Sequence, residues 1–325
     1  MNIKKIKRIA VLTSGGDCSG MNAAIRSVVR SGIYHGLEVY GVFRGYEGLM
    51  SGDIKKMTRR SVGNIIGRGG TFLKTARSSA FLTEEGRNKA IAVLKEKKID
   101  ALVVIGGDGS FRGAHVLSSE CKIQTIGIPG TIDNDLNGTD FSIGTDTAVN
   151  VALGAIDKIR DTATSLERIF VVEVMGHNLG YIALQVGLAG GAEEAIVPEF
   201  GYDINAMVND IKKGRKKGKI SWIIIVAEGA GSAGKIGEEI KELSGFEVRV
   251  VVLGHIQRGG DPTSMDRILA ARFGEAAIEA LLEGHTGKMV GIVADKIKLV
   301  DFEYACKGSR NLSKEQYKLL KILSY

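Results

Sequence analysis

The sequence predicts an α/β fold of two doubly wound, largely parallel, Rossmann-like sheets with the active site between them. Three observations predict it. Short apolar runs alternate with helical patterns along the chain, the signature of right-handed βαβ units. Several of these runs end in glycine-rich turns, where open parallel sheets receive ligands. The 325 residues suffice for two ordinary domains, and roughly eight or nine strands exceed what one doubly wound sheet commonly holds. No linker-like stretch marks a boundary, so the chain is expected to cross between the domains more than once.

Ile9 to Thr13 reads as the first strand, followed by Ser14-Gly-Gly-Asp17 and a helix from about Gly20. Met21, Ala24, Ile25 and Val28 give that helix an inward stripe. Val39 to Phe43 is the second strand. Residues 44–81 are Gly-rich and basic, a long loop with short helices, and long loops in compact domains are often functional. A helix is expected over Thr83 to Lys97, and a strand over Ala101 to Ile105 runs into Gly106-Gly-Asp-Gly-Ser110 and a further helix. Ile123 to Ile128 is a strand closed by Pro129-Gly-Thr-Ile-Asp-Asn-Asp135. A helix from Thr145 turns Ala148, Ala152, Ala155 and Ile159 inward. Strands are expected at Ile169 to Val174, Ile196-Val197, Trp222 to Ala227, Val248 to Leu253 and Met289 to Val293.

The composition, 44% hydrophobic and 25% charged, is that of a globular protein. Three cysteines are too few for a disulfide framework and suit a reducing compartment; Cys18, just before a helix, reads as a buried bystander. No apolar stretch approaches a membrane span or a signal sequence. A cytoplasmic protein with no membrane partner is expected. The net charge of +7 raises nucleic acid as a partner, but the basic residues are scattered and no aromatic platform interleaves with them. A basic excess equally suits an enzyme of anionic metabolites.

Asp133 and Asp135 stand two apart, so in an extended segment both face the same way. One carboxylate could take a proton from a hydroxyl and the other orient the substrate or hold a metal. Taken alone, an Asp-rich turn bonded to its own backbone explains them as well. The Ser14–Asp17 and Gly106–Ser110 turns shift that balance, because strand, glycine turn and helix start together present N–H groups to an anion. Cradled phosphates, a metal carboxylate such as Asp108 and a base for an acceptor hydroxyl are the needs of phosphoryl transfer. Gly229-Ala-Gly-Ser-Ala-Gly-Lys235 imitates a nucleotide-binding P-loop, but Ile236 stands where a metal-binding Ser or Thr is required. Gly254-His-Ile-Gln-Arg-Gly-Gly260 is another strand-end glycine loop, with His255 and Arg258 suited to an anion.

Together with Arg68-Gly-Gly-Thr71, these motifs resemble those of the bacterial ATP-dependent 6-phosphofructokinases, and the match runs over nearly the whole chain. The resemblance implies transfer of the γ-phosphoryl of ATP to the 1-hydroxyl of fructose 6-phosphate, in glycolysis, with Mg2+. It implies an ATP-binding domain of residues 1–143 plus 256–305 and a fructose 6-phosphate domain of 144–255 plus 306–325. It assigns Asp133 as general base, with Thr131, Asp135 and His177 beside it, and Asp108 to the metal. The ATP site would take Gly15, Gly16, Arg77, Ser78, Gly107, Asp108, Gly109 and Ser110. Fructose 6-phosphate would meet Thr131, Ile132, Asp133, Met175, Gly176, His177, Glu228, His255 and Arg258, with Arg168 and Arg249 reaching in from a neighbouring subunit of a homotetramer.

Pyrophosphate-using relatives carry an Asp and a Lys where this chain has Gly109 and Gly130, which favours ATP as donor over pyrophosphate. A kinase of NAD or lipid with a Gly-Gly-Asp-Gly turn would lack the His255 loop, and a nucleic-acid binder would leave the paired aspartates unexplained. Two departures stand out. His177 occupies a position usually held by Arg, a weaker partner for charge on the transferred phosphoryl. Arg26, Arg30, Arg59, Arg160, Glu193, Lys217 and Lys219 match the family's effector pocket, but Ile220 and Ser221 replace the Lys and His common there.

Overall fold

The structure, a computed structural model, describes residues 6–76, 78–121, 123–308 and 310–324. The chain divides into two units, each made of three segments. The first comprises Met1–Ile132, Leu136–Thr147 and Arg258–Gly308; the second comprises Asp133–Asp135, Ala148–Gln257 and Ser309–Tyr325.

The first unit carries β1 (Arg8–Thr13), β2 (Glu38–Val42), β3 (Ile54–Lys56), β4 (Ala101–Gly106) and β5 (Gln124–Pro129). The second carries β6 (Ile169–Val174), β7 (Glu194–Ile196), β8 (Trp222–Ala227) and β9 (Val248–Val252), and the first resumes with β10 (Lys288–Val293) and β11 (Lys296–Asp301). The seven-stranded sheet runs β11-β10-β5-β4-β1-β2-β3 and the four-stranded one β7-β8-β6-β9. All pairings are parallel except β2–β3 and β10–β11, the two edges of the larger sheet. These outer strands, β3 and β11, are absent from the sequence reading; both are rich in lysine, as exposed edges commonly are.

Helices α1 (Met21–Tyr34), α2 (Gly45–Ser51), α3 (Glu84–Glu96) and α4 (Asp108–Cys121) follow the first strands, and α5 (Thr145–Leu166) leads into β6. Next come α6 (Tyr181–Ala189), α7 (Ile204–Lys216), α8 (Ala233–Ser244), α9 (Ser264–Leu282), α10 (Phe302–Ala305) and α11 (Lys314–Leu323). Met21, Ala24, Ile25 and Val28 are fully buried, as their spacing predicts. In α5 the inward face differs from the expected one. Ala148 and Ala152 are buried, but Ile156 and Ala163 continue the stripe while Ala155 and Ile159 lie at its half-exposed margin. Small alanines leave the phase of a helix weakly marked, and an isoleucine three residues either way decides it. Among the described residues no helix is long and apolar enough to cross a membrane.

Side-chain caps stop several helices at legible residues. Thr83 accepts from Gly86 N–H at the start of α3, Asp203 from Asn205 and Ala206 at α7, and Ser232 from Gly234 at α8. The buried Asp266 in α9 accepts from Gly144 N–H at 2.8 Å and from Thr147 N–H and Oγ1 at 2.9 and 2.5 Å, fixing where α5 begins. Burial pushes its carboxyl above the usual range, and these three donors pull the other way.

On one face of the larger sheet, Phe111 of α4 and Phe302 of α10 stack at 5.2 Å over Gly127 of β5. A Cβ at Gly127 would sit 2.6 Å from both rings, which are fully buried and have nowhere to retreat. Gly127→Ala is expected to cost about 1–3 kcal/mol through overpacking. A urea titration with an unchanged slope and a lowered midpoint would show it; an unshifted midpoint would mean the rings have room to move.

Candidate active site

In the first unit, three turns leave the C-terminal ends of the adjacent parallel strands β1, β4 and β5. Backbone bonds join them: Ser14 N–H donates to Ile105 O at 3.0 Å and Gly130 N–H to Gly106 O at 3.0 Å. A Cβ at Gly106 would lie 2.5 Å from both Ser14 O and Ser110 Oγ, so the first two turns can touch only because this residue is glycine. Gly15 has φ +85° and its carbonyl accepts from Thr75 Oγ1 at 2.8 Å. Tyr46 donates to Ser110 O at 2.6 Å; burial raises its phenol pKa far above the ordinary value, so it stays a donor. Gly15, Gly16, Gly107, Asp108, Gly109, Ser110 and Thr131 therefore gather at the C-terminal end of three neighbouring strands of one sheet.

Gly109 and Gly130, paired in the sequence reading, have different reasons for being glycine. Nothing lies within 4 Å of a Cβ built on Gly109, so it faces open space. A Cβ at Gly130 would press Ile105 Cγ2 at 3.1 Å and Met21 Cε at 3.3 Å, so a larger residue there requires those side chains to shift by a few tenths of an ångström.

Asp108 opens α4, and its Oδ1 accepts from Arg112 Nε at 2.7 Å, which holds the guanidinium above its usual pKa. Arg112 also donates to Cys306 O at 2.9 Å. Among the described residues no cluster of three His, Cys, Asp or Glu forms a metal cage. A single half-exposed carboxylate beside glycine turns fits Mg2+, which keeps most of its waters and binds through one or two carboxylates and substrate phosphates. Ser78 instead donates to Glu47 at 2.7 Å. Arg77 lies outside the described residues.

The Pro129–Asp135 segment bends where an extended run was expected, because buried Asn134 takes φ +52°. Burial still alternates: Ile132, Asn134 and Leu136 point inward while Asp133 and Asp135 stay half-buried. Ile132 is fully buried.

Two side chains absent from the sequence reading organise this end of the sheet. Asn22 of α1, buried, donates to Arg68 O and Gly69 O at 3.1 Å each and accepts from Phe72 N–H at 2.6 Å. Ser19 donates to Gly260 O at 2.7 Å and Gly259 O at 3.1 Å. Arg258 donates through Nη1 to Asp17 O at 3.2 Å and lies against Gly16, where a Cβ would come within 2.3 Å. The Arg68–Thr71 and Arg258–Gly260 loops are thus both tied to the start of α1. Cys18 is fully buried, its thiol donating to Ile143 O at 3.1 Å, as befits a bystander.

In the second unit, Met175, Gly176 and Glu228 follow the C-terminal ends of β6 and β8, and His255 follows that of β9. Glu228 Oε1 accepts from Gly176 N–H at 3.2 Å and His177 N–H at 2.8 Å. His177 is exposed at φ +53°. Arg168 and Arg249 stand at the other end of the same strands. Glu247 holds both, at 2.6 Å from Arg168 Nε and 3.6 Å from Arg249 Nη2. Six strand residues, about 20 Å, separate Arg168 from Met175, whereas three strand residues, about 10 Å, and the start of the following turn lie between Arg249 and His255. One chain does not gather these arginines with the rest.

The P-loop look-alike is structural. Ile236 is 2% exposed in the second unit's core, Ser232 caps α8 and Lys235 is exposed. Of the effector set, Glu193, Lys217 and Lys219 line one cavity of about 480 Å³ with Lys213, Trp222 and Lys321. Lys219 Nζ sits 3.0 Å from Glu193 and 4.5 Å over the Trp222 ring. Arg160 donates to Gly190 O and Gly191 O. Arg26 and Arg30 lie one turn apart on α1; partial burial, and then Arg30, depress the Arg26 pKa. Arg59 is exposed in the turn after β3.

Known proteins are similar to this chain over nearly its whole length. A family model described as phosphofructokinase matches residues 8–281. The ATP-dependent 6-phosphofructokinase of Halothermothrix orenii is 55% identical over 331 aligned residues, which cover 98% of this chain and 100% of that one. The enzyme of the same name from Bacillus subtilis is 54% identical over 98% of this chain and 100% of its own. Among solved structures, phosphofructokinase from Saccharomyces cerevisiae superposes with a TM-score of 0.88 at 38% identity, covering 97% of this chain and 46% of the yeast chain. A pyrophosphate-dependent phosphofructokinase from Marinobacter aquaeolei has a TM-score of 0.85 over 97% of this chain and 91% of its own; at 22% identity it shares the fold. With glycine turns at the same strand ends as the motifs require, and full-length identity above half, the chain belongs to the phosphofructokinase family.

Proposed function

We propose that this protein transfers the γ-phosphoryl of ATP to the 1-hydroxyl of fructose 6-phosphate, giving fructose 1,6-bisphosphate and ADP, as a glycolytic enzyme of the cytoplasm. The observation that carries the proposal is the convergence of three glycine turns on the ends of β1, β4 and β5, with Asp133 three residues beyond the last of them. The turns offer N–H donors and close approach to the donor's phosphates. Open space at Gly109 suits a chain longer than pyrophosphate.

Asp133 takes the proton of the 1-hydroxyl as that oxygen bonds to the γ-phosphorus. The bond from phosphorus to the β-phosphate oxygen breaks, and ADP leaves with that electron pair. Thr131 and Asp135 orient the acceptor. Asp108 would hold Mg2+, which when bound neutralises charge on the donor phosphates; Arg112 must then share or release its oxygen. His177, where the family usually carries Arg, is a weaker partner for charge on the transferred group. Met175, Gly176, Glu228, His255 and Arg258 receive the sugar phosphate. Arg168 and Arg249, far along the same strands, complete the pocket of a neighbouring subunit in a homotetramer. Effector binding at the Glu193–Lys219 cavity is weak, because Lys219 is already paired with Glu193 and stacked on Trp222.

Three substitutions test these roles in a coupled assay with fructose 6-phosphate and ATP. Asp133→Asn keeps the shape and removes the basicity, and kcat is expected to fall about 10²–10⁴-fold with little change in KM; parental turnover would end the general-base assignment. His177→Arg is expected to raise kcat, and a fall would show that the imidazole is not standing in for a cation. Lys235→Ala should leave kcat and both KM values within about twofold, and a thousandfold loss would make the Gly229–Lys235 loop a nucleotide site after all.

A further inference from the structure

Three consecutive backbone amides after β6 all donate to side chains of the second unit. Gly176 and His177 share Glu228 Oε1, while Met175 N–H donates to Gln257 Oε1 at 2.9 Å in a buried bond. Gln257 lies in the 3-10 turn Gly254–Arg258 and is 1% exposed. Its orientation follows from chemistry. Turning the amide over would set Nε2 against Met175 N–H, donor against donor. Among the described residues Nε2 is thereby left buried with no hydrogen-bond partner.

That orphan decides what Gln257 is for. A buried amide satisfied at one end is worse for stability than an apolar side chain of the same volume. Packing alone does not account for a glutamine here; its carbonyl does. We propose that Gln257 is a positioning residue for the sugar phosphate, locking Met175 to the turn that carries His255. The inference rests on the kinase reading above. Gly176 at φ +142° and His177 at φ +53° hold a conformation that a free loop would leave readily. Glu228 alone fixes two amides; Gln257 fixes the third and couples it to His255. Two segments assigned to one substrate thereby move as a unit.

Gln257→Met keeps the volume, removes the acceptor and removes the orphan. The expected result is a KM for fructose 6-phosphate raised about tenfold, KM for ATP within twofold, and a melting temperature equal to or above the parent's. Amide hydrogen exchange at Met175 in the ligand-free protein should accelerate at least tenfold in the same variant. Gln257→Glu restores an acceptor and should return KM for the sugar to within about threefold of the parent. An unchanged sugar KM in Gln257→Met overturns the proposal. So does a drop in melting temperature with both KM values rising together, or a Gln257→Glu variant no better than Gln257→Met. If the parent does not phosphorylate fructose 6-phosphate, the functional reading fails by itself, while Met175 exchange still reports on the lock.

Discussion

The three turns at the ends of β1, β4 and β5 depend on a missing atom. At Gly106 a Cβ would stand 2.5 Å from Ser14 O and from Ser110 Oγ, two groups held by their own strands. Without it, the turn after β1 settles onto the turn after β4. Everything else at that end of the sheet secures this approach. Tyr46 pins Ser110 from beneath, Asn22 ties in the Arg68–Phe72 loop, and Ser19 fixes the glycines of the Arg258 loop. The meeting turns are therefore built chiefly from backbone, with side chains acting as tethers.

Strand direction arranges the second unit. In an all-parallel sheet every C-terminal end lies on one side, so Met175, Glu228 and His255 converge although 27 to 80 residues of chain separate them. The same rule sends Arg168 and Arg249 toward the N-terminal ends of β6 and β9, where both pair with Glu247. Two arginines that look like partners of His255 in the sequence belong to a different surface of the same sheet.

Much of this was legible in the sequence, for physical reasons. Buried parallel strands are continuous apolar runs, and β6 and β8 begin and end where their runs do. Glycine turns and capping residues such as Thr83 and Asp203 mark helix starts directly. The edge strands escaped because lysines interrupt them, although Lys296-Ile-Lys-Leu does alternate with the period of a strand. The face of α5 escaped because alanine carries little phase information. Asn22, Ser19 and Gln257 escaped for another reason: their partners lie 46 to 241 residues away, and no local pattern announces a tether of that kind.

The order of segments also bears on how the protein is made. β10 pairs with β5 through Lys288↔Ile126 and Met289↔Gly127, and α9 packs on α1. A ribosome releases the chain from its N-terminus, so the seven-stranded sheet waits, open at β5, while about a hundred and fifty residues of the four-stranded sheet's segment and α9 emerge. The smaller sheet, with β6, β7, β8 and β9 contiguous in synthesis, has all its strands first. During that interval the unpaired margin of β5 is the surface a nascent chain most needs to keep from other strands.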